Sequence, residues 1–270
     1  MKLILMGTND FVVPVFESLA KQHDIIAVFT RAPKPMGRKH ILTPSPVHVW
    51  AEACGLKVYT SIKDFDAVAQ KPDMIIVFSY GVILRDNVLN VAPCINIHPS
   101  SLPKYRGPSP IKTAILNGDK GMDVCLMKMV AELDAGDVLM RENIEIGEND
   151  TNAIMENKVS NTAIEMLEKY LANPEKYIAV PQGDNAIYTR KFTGDDEIID
   201  WNKTPQQTHN QIRALGCGRT KINGIDVKIL ETKIENNELK IVKIQPSGKN
   251  PMDWKSFLNG LHGVDIKYGE

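Results

Sequence analysis

The sequence predicts an α/β fold in which a Rossmann-like, doubly wound, mostly parallel sheet is followed by a small β-rich domain. Two observations in the first half of the 270 residues predict the sheet. Short runs of aliphatic and β-branched residues alternate with amphipathic stretches, and these runs are apolar at almost every position rather than at every second one. Continuous apolarity is typical of parallel strands that helices bury on both faces.

The elements of the first half can be assigned in order. Predicted strands cover residues 2–6, 24–30, 57–60, 73–79 and 94–98, and predicted helices lie near 11–20 and 47–55. Ligands in such sheets bind beyond the carboxyl ends of the strands, so the loops after Thr30, Ser79 and Ile97 are the expected site. The first strand is followed by GTNDF instead of a GxGxxG fingerprint, so no dinucleotide cofactor is expected.

The second half has a different organisation. Two β runs at 122–130 and 137–146 flank a tight ELDAGD turn and predict a hairpin-like extension of the sheet, and a long helix follows from about Asn152 to Leu171. Residues 187–204 lack periodicity, and beyond them two β runs and a closing helix predict a small β-rich domain. The expected organisation is a large domain at 1–186, a linker at 187–204 and a small basic domain at 205–270.

Composition excludes several classes of protein. Hydrophobic residues make up 43% and charged residues 24%, which is incompatible with a disordered or fibrous chain. The longest apolar run, Met74–Phe78, is far shorter than the ~20 residues that span a bilayer, and the N-terminal apolar stretch stops at Gly7. We therefore expect a cytoplasmic protein without a membrane partner. The four cysteines are far apart, so we expect buried thiols and no metal site.

Charge is unevenly distributed along the chain. The net charge is -1, but residues 203–270 hold 11 basic and 7 acidic side chains, whereas the first 202 residues are net acidic. A basic surface of this size is compatible with an ordinary solvated face and with nucleic-acid binding. A second basic segment, residues 31–40, stands in a stretch without any acid between Asp24 and Glu52, as a phosphate-backbone contact surface requires.

The densest cluster of chemically useful residues lies at 94–119. Asn96 and His98 are separated by one residue at the end of a predicted strand, so both side chains lie on the same face. An amide there can donate to an oxyanion while an imidazole moves a proton. The proline-rich loop that follows carries Lys104 and Arg106, which are well placed for an anionic group. Asp134, in the ELDAGD turn, can orient His98 or accept its proton; an ordinary Asx turn is the alternative.

These residues point to a family. Asn96, His98 and Asp134, with SLPKYRG and LDAGD around them, resemble the folate-dependent formyltransferase family. Three further stretches, GTNDF, PKPMGRKHILTPSPV and IQPSGKNPMDWKSFLNG, are similar to the members of that family that act on initiator methionyl-tRNA. The resemblance departs at Ser101, where a leucine is usual. It also departs in the C-terminal domain, where the tRNA-acting members carry a longer OB-like barrel and this chain is shorter.

The resemblance implies a fold, a reaction and its partners. The fold is the formyltransferase fold with a reduced OB-like domain. The reaction is transfer of a formyl group from 10-formyltetrahydrofolate, the co-substrate, to the α-amino group of initiator methionyl-tRNA by a monomeric enzyme without a metal. Asn96 and the imidazolium of His98 would stabilise the oxyanion, and Asp134 would help to carry the amine proton away.

The resemblance also implies two binding sites. Folate would contact Tyr80, Gly81, Val82 and Leu84 in the FSYGVIL stretch, and Val130, Ala131, Glu132 and Leu133 in the VAEL stretch. The tRNA would contact the small basic domain and the basic residues Arg31, Lys34, Arg38, Lys39, Lys104 and Arg106. The segment around Arg38 would enter the acceptor stem.

Three other functions are compatible with parts of the pattern. A sugar N-formyltransferase acting on a nucleotide-linked amino sugar would share Asn96, His98 and Asp134, but it has no reason to keep the GRK segment and the IQPSGKNPM motif. A hydrolase that passes the formyl group to water would not need a basic segment. A non-catalytic RNA-binding remnant would not need all three polar residues. The tRNA-acting enzyme accounts for most of the motifs.

Overall fold

The computed structural model describes residues 1–37, 39–261 and 265–269. The strands are β1 (Lys2–Gly7), β2 (Asp24–Phe29), β3 (Lys34–Met36), β4 (Ile41–Thr43), β5 (Val58–Tyr59), β6 (Met74–Phe78), β7 (Cys94–His98), β8 (Lys104–Arg106), β9 (Gly121–Lys128), β10 (Val138–Glu145), β11 (Ile187–Tyr188), β12 (Gly218–Ile222), β13 (Ile225–Glu235), β14 (Glu238–Pro246) and β15 (Met252–Asp253). The helices are α1 (Val13–Gln22), α2 (Pro46–Ala53), α3 (Asp86–Leu89), α4 (Pro110–Asn117), α5 (Asn152–Ala172), α6 (Pro205–Leu215) and α7 (Trp254–Asn259).

Contacts within the chain divide it into two compact units. The first contains Met1–Pro108, Asp123–Ile144 and Glu156–Tyr188, and the second contains Ser109–Met122, Glu145–Met155 and the described residues from 189 onward. The boundaries expected at 187 and 204 remain a prediction, because contacts in the folded chain do not report which segments fold independently.

A seven-stranded sheet with the order β10-β9-β7-β6-β1-β2-β5 is the centre of the first unit. β1 pairs in parallel with β2 and β6, and β6 pairs in parallel with β7. β9 runs antiparallel to β7 and β10 lies beyond it, so the predicted extension of a mostly parallel sheet is confirmed. β6 and β7 are buried at every position, as their continuous apolarity predicts.

The core of this unit holds the strands close together at their carboxyl ends. Ile4 of β1, Phe29 of β2 and Ile75 of β6 belong to one buried cluster. Gly7 ends β1, and a Cβ at this position would lie 2.8 Å from the Phe16 ring and from the carbonyl oxygen of Phe78. Only glycine permits this approach between β1 and β6. The strand order reverses here, which is where ligands bind in open α/β sheets.

The second unit contains a four-stranded antiparallel sheet with the order β12-β13-β14-β15. Its buried cluster includes Ile212 of α6, Ile229 of β13 and Ile244 of β14. α6 begins at a capping box formed by Thr204 and Gln207, in which each side chain satisfies a backbone N–H of the first turn. The small β-rich domain expected from the sequence is therefore present.

Several segments differ from their sequence-based prediction. β8 lies in an expected loop and β11 in the expected linker, and the two pair in parallel as a two-stranded sheet. The basic segment 31–40, expected to be a loop, contributes β3 to an antiparallel hairpin with β4, because a turn closed by the His40 N–H and the Gly37 carbonyl joins two extended runs. Cys54 is exposed where α2 ends, whereas the other three thiols, those of Cys94, Cys125 and Cys217, are buried as expected. Across the described ranges, no helix is long and apolar enough to cross a membrane.

Candidate active site

The polar pair predicted on β7 lies at the carboxyl edge of the parallel sheet. Asn96 and His98 occupy alternate positions of the strand, so they share a face, and they are only 9% and 5% exposed. β7 is paired with β6 on one side and with β9 on the other, which fixes its backbone. An amide and an imidazole are therefore held rigidly where the sheet places its ligands.

His98 has an oxygen close to each ring nitrogen. Its Nε2 lies 3.0 Å from the carbonyl oxygen of Tyr105, and its Nδ1 lies 3.7 Å from Oδ2 of Asp134. An Nε2–H can donate to the Tyr105 carbonyl, whereas 3.7 Å is too long for a hydrogen bond between Nδ1 and the carboxylate but within the range of an ion pair. The carboxylate is largely shielded from solvent, so its attraction for the ring is weakly screened.

Asp134 is fixed through its backbone and through its carboxylate. Its φ is +49°, in the left-handed region that aspartate tolerates better than most residues. Its Oδ2 accepts a 2.7 Å hydrogen bond from the backbone N–H of Gly107. Gly136 approaches β9 so closely that a Cβ there would lie 1.8 Å from the carbonyl oxygen of Lys128. The small residues of LDAGD thus allow the carboxylate to reach His98.

The thiol of Cys125 and the phenol of Tyr80, near this edge, stay neutral. Cys125 is the cross-strand neighbour of His98, and burial raises the pKa of its thiol to about 11. Burial also raises the pKa of the Tyr80 phenol to about 12. Neither group is ionised near neutral pH, so neither competes as a nucleophile or base. Among the described residues, no group of three or more His, Cys, Asp and Glu side chains could hold a metal.

The two basic residues predicted in the loop after β7 have different surroundings. Arg106 is only 7% exposed, and its Nε and Nη2 donate to Oε1 of Gln182 at 3.0 and 2.9 Å. Lys104 is half-buried, with its Nζ 4.5 Å from the centroid of the Tyr105 ring. A tRNA contact by either residue stays a prediction, and the Arg106 guanidinium already has an internal partner.

The residues predicted to bind folate fall into an exposed set and a buried pair. Tyr80 and Leu84 belong to the core cluster, so their side chains serve the fold. The exposed set follows β6 and β9 and consists of Gly81, Val82, Val130, Ala131, Glu132 and Leu133. Ile83, which sequence reasoning did not select, is the most exposed apolar residue of the FSYGVIL stretch. Folate binding by this set stays a prediction.

The basic residues predicted on segment 31–40 are carried mainly by the β3-β4 hairpin. Lys34 and Lys39 are exposed, and Arg31 is half-buried before the hairpin begins. Arg38 lies outside the described residues. Exposed apolar side chains accompany the lysines, namely those of Met36, Ile41 and Leu42. The hairpin therefore presents charge and apolar surface together.

Sequence reasoning missed Gln182. Its Nε2 donates to the carbonyl oxygens of Asp134 and Gly136 at 2.9 and 2.7 Å, while its Oε1 accepts from Arg106. It lies 48 residues from Asp134 along the chain. No sequence motif identifies a glutamine that stands between a proline and a glycine, so only the tertiary structure reveals its role.

The chain is similar to known proteins over nearly its whole length. Residues 1–171 match the family described as formyl transferase, and residues 191–240 match the formyl transferase C-terminal domain. The methionyl-tRNA formyltransferase of Rickettsia bellii is 33% identical over 300 residues, which covers 97% of both chains. That of Ehrlichia ruminantium, strain Gardel, is 41% identical over 226 residues and covers 80% of this chain and 74% of its own.

A solved structure shows the same fold. The N-formyltransferase from Helicobacter canadensis, in complex with folinic acid and dTDP-3-aminofucose, superposes with a TM-score of 0.68 at 23% identity. The superposition covers 87% of this chain and 88% of that one. At this level of identity the likeness establishes the architecture alone.

Proposed function

This chain belongs to the formyl transferase family and is an enzyme of the methionyl-tRNA formyltransferase type, and from that premise we propose that it transfers the formyl group of 10-formyltetrahydrofolate to the α-amino group of initiator methionyl-tRNA. The observation that carries the proposal is the placement of Asn96, His98 and Asp134 at the carboxyl edge of the sheet. All three are groups that can serve acyl transfer to an amine.

Asn96 and His98 stabilise the charge that develops on the formyl oxygen. The amine nitrogen attacks the formyl carbon, a C–N bond forms, and the carbonyl oxygen becomes an oxyanion. Collapse of this species breaks the bond to the folate nitrogen, which leaves with the proton that the amine gave up to Asp134. One well-placed donor to such an oxyanion typically contributes ~2.7–4 kcal/mol to the barrier. The amide of Asn96 supplies one such donor, and His98 supplies a second when its Nε2 exchanges the Tyr105 carbonyl for the oxyanion.

Asp134 accepts the amine proton and stabilises the positive ring of His98. An α-amino group has a pKa of ~7.7–8.0, so a useful neutral fraction exists near neutral pH and strong activation is not required. The carboxylate of Asp134, 3.7 Å from His98 Nδ1, stabilises the positive ring and provides an acceptor for the proton. Positioned proton transfer of this kind typically contributes ~10²- to 10⁴-fold to the rate.

The folate co-substrate fits the exposed apolar segments that follow β6 and β9. A flat pterin ring buries apolar area against Val82, Val130 and Leu133, which are exposed in the free protein. Backbone N–H and carbonyl groups of the same segments can bond the polar edge of the ring. β6 runs parallel to β7 and ends beside Ile97, and the segment after β9 leads into Asp134, 3.7 Å from His98, so a formyl group held by these segments comes close to His98.

The tRNA is contacted by two exposed basic surfaces, one on each unit. On the first unit, Lys34 and Lys39 project from the β3-β4 hairpin. On the second, Arg219 and Lys221 of β12 and Lys228 of β13 are exposed. Lysine and arginine side chains of this kind neutralise phosphates and make binding depend on salt. A nucleotide-linked sugar has too few phosphates to require both surfaces.

The test measures formyl transfer from 10-formyltetrahydrofolate to initiator methionyl-tRNA at low and moderate salt, with a dTDP-linked amino sugar as the competing acceptor. We expect transfer to the aminoacylated tRNA that weakens as salt rises, and none to deacylated tRNA, which lacks the amine. Turnover of the sugar without turnover of the tRNA would refute the proposed acceptor and leave only the formyl-transfer chemistry standing.

A further inference from the structure

Gln182 joins two segments of the site: the first is Tyr105–Gly107, beside His98, and the second is the LDAGD turn, which carries Asp134. Its Oε1 accepts from Nε and Nη2 of Arg106 at 3.0 and 2.9 Å. Its Nε2 donates to the carbonyl oxygens of Asp134 and Gly136 at 2.9 and 2.7 Å. One amide therefore uses its acceptor on one segment and its donors on the other.

The first segment controls both partners of His98. Tyr105, which precedes Arg106, places its carbonyl oxygen 3.0 Å from His98 Nε2. Gly107, which follows Arg106, donates its backbone N–H to Oδ2 of Asp134 at 2.7 Å. A displacement of Arg106 would therefore move the acceptor of the ring and the donor to the carboxylate at the same time.

On the second segment, the backbone of Asp134 is in the left-handed region, which few residues other than glycine adopt. The residue has a φ of +49°, and a left-handed non-glycine residue persists only where its surroundings fix it. The Gln182 amide fixes the carbonyl oxygen of Asp134 and that of Gly136, on either side of Ala135. Without this clamp the turn can relax, and the carboxylate loses its alignment with His98.

We propose that Gln182 is a positioning residue for formyl transfer, which keeps the Asp134 carboxylate aligned with His98 by tying the LDAGD turn to Arg106. The inference rests on the proposed function, because it concerns the same site. Gln182 does not touch the reacting atoms; it acts through Asp134 and Tyr105. Its loss therefore lowers the rate of the chemical step and leaves the folate affinity unchanged.

Two variants separate the halves of the amide. Gln182→Glu keeps an oxygen for Arg106 but removes the N–H donors to the two carbonyls, and Gln182→Met removes both without adding charge. A misplacement of about 1 Å at a catalytic group costs about 10²-fold. For both variants we expect kcat to fall by about ten- to a hundredfold. The KM values for the folate and for the tRNA should stay within about twofold of the wild type.

Gln70→Glu is the matched control. Gln70 is exposed and precedes β6, at the end of the strand opposite to the site, so the same charge change there should leave kcat and both KM values unaltered. Arg106→Lys removes the guanidinium whose Nε and Nη2 both donate to Oε1 of Gln182, and it should lower kcat in the same way. A rise in the KM for tRNA without loss of kcat in Arg106→Lys would mean that Arg106 binds the nucleic acid instead.

Each outcome decides between alternatives. Wild-type kcat in Gln182→Glu or Gln182→Met overturns the inference, and so does a rise in KM at constant kcat, which would make Gln182 a binding residue. Unfolding of both variants, judged by thermal melts, also overturns it, because Gln182 would then serve the fold. Absence of transfer by the wild-type enzyme overturns the proposed function itself, so the two failures are distinguishable.

Discussion

His98 on β7 and His209 on α6 are both almost completely buried, at 5% and 3% exposure. In each ring, both nitrogens have an oxygen atom of their own nearby. Nδ1 of His209 lies 2.8 Å from the Thr232 hydroxyl, and its Nε2 lies 3.1 Å from the carbonyl oxygen of Glu148. By burial alone the two residues are equivalent. Their chemical surroundings are not.

The difference lies in the charge of the partners. His98 faces the carboxylate of Asp134 at the edge where a parallel sheet binds its ligands. Burial lowers the pKa of His209; the hydrogen bond to the Glu148 carbonyl opposes this in part, and the nearby Arg213 guanidinium lowers the pKa further. His209 is therefore neutral and ties β13 to the segment before α5, within the second unit. A buried histidine is a candidate for catalysis only where a charged partner and an approachable edge occur together.

Replacement of His98 tests the catalytic half of the comparison and has the largest expected effect. In His98→Ala the imidazolium donor to the oxyanion is lost, so kcat should fall by about 10²- to 10³-fold. Folate binding, measured by fluorescence titration, should stay within about twofold, because the predicted folate contacts lie on other segments. Retained turnover would remove His98 from the mechanism and make the two histidines alike.

Replacement of His209 tests the structural half. His209→Ala leaves the Thr232 hydroxyl and the Glu148 carbonyl without their buried partner, which typically costs about 1–3 kcal/mol of unfolding free energy. Thermal and urea unfolding should show this loss, while kcat at saturating tRNA stays close to wild type. A stable variant that loses kcat would contradict the assignment.

The exposed hairpin offers a third situation, in which the basic side chains of Lys34 and Lys39 lie at the surface. In a Lys34→Ala, Lys39→Ala double variant the KM for tRNA should rise and the slope of log affinity against log salt should decrease by roughly 1 for each lysine that contacts a phosphate. Folate affinity and kcat should not change. Lys21→Ala with Lys63→Ala removes the same charge elsewhere on the first unit. An equal effect in this control would mean that only net charge matters.

The pH dependence of stability gives the smallest and most specific test. The pKa of His209 is lower in the folded chain than its ordinary value of 6.5, so the unfolded chain takes up the proton first as pH falls. The stability that depends on His209 is thus complete above about pH 6.5 and is lost progressively below it. Melting temperatures between about pH 8 and pH 5.5 should fall less steeply in His209→Gln than in the wild type. Identical slopes would mean that another group titrates.

Much of the site could be predicted from the sequence because its signals are local. Asn96 and His98 lie two positions apart on an apolar strand, and the LDAGD turn needs its small residues in order. The β3-β4 hairpin was missed because KPM and ILT are too short for a periodic signal, and Gly37 and the prolines also suit a loop. The side chain of Leu84 packs in the core, which one apolar letter in FSYGVIL cannot reveal, and its predicted contact with folate stays a prediction.

The sequence by itself determined the order of the strands along the chain, the apolar core and the residue types that carry the chemistry, because each follows from periodicity or from a short motif. The tertiary structure alone decided which distant groups meet. It placed the Gln182 amide between Arg106 and the LDAGD turn, and it separated His98 from His209 by the charge of their neighbours. Hydrogen bonds and charge pairs act over a few ångströms in space and do not depend on how far apart the residues are in the sequence. The folded structure is therefore needed to identify them.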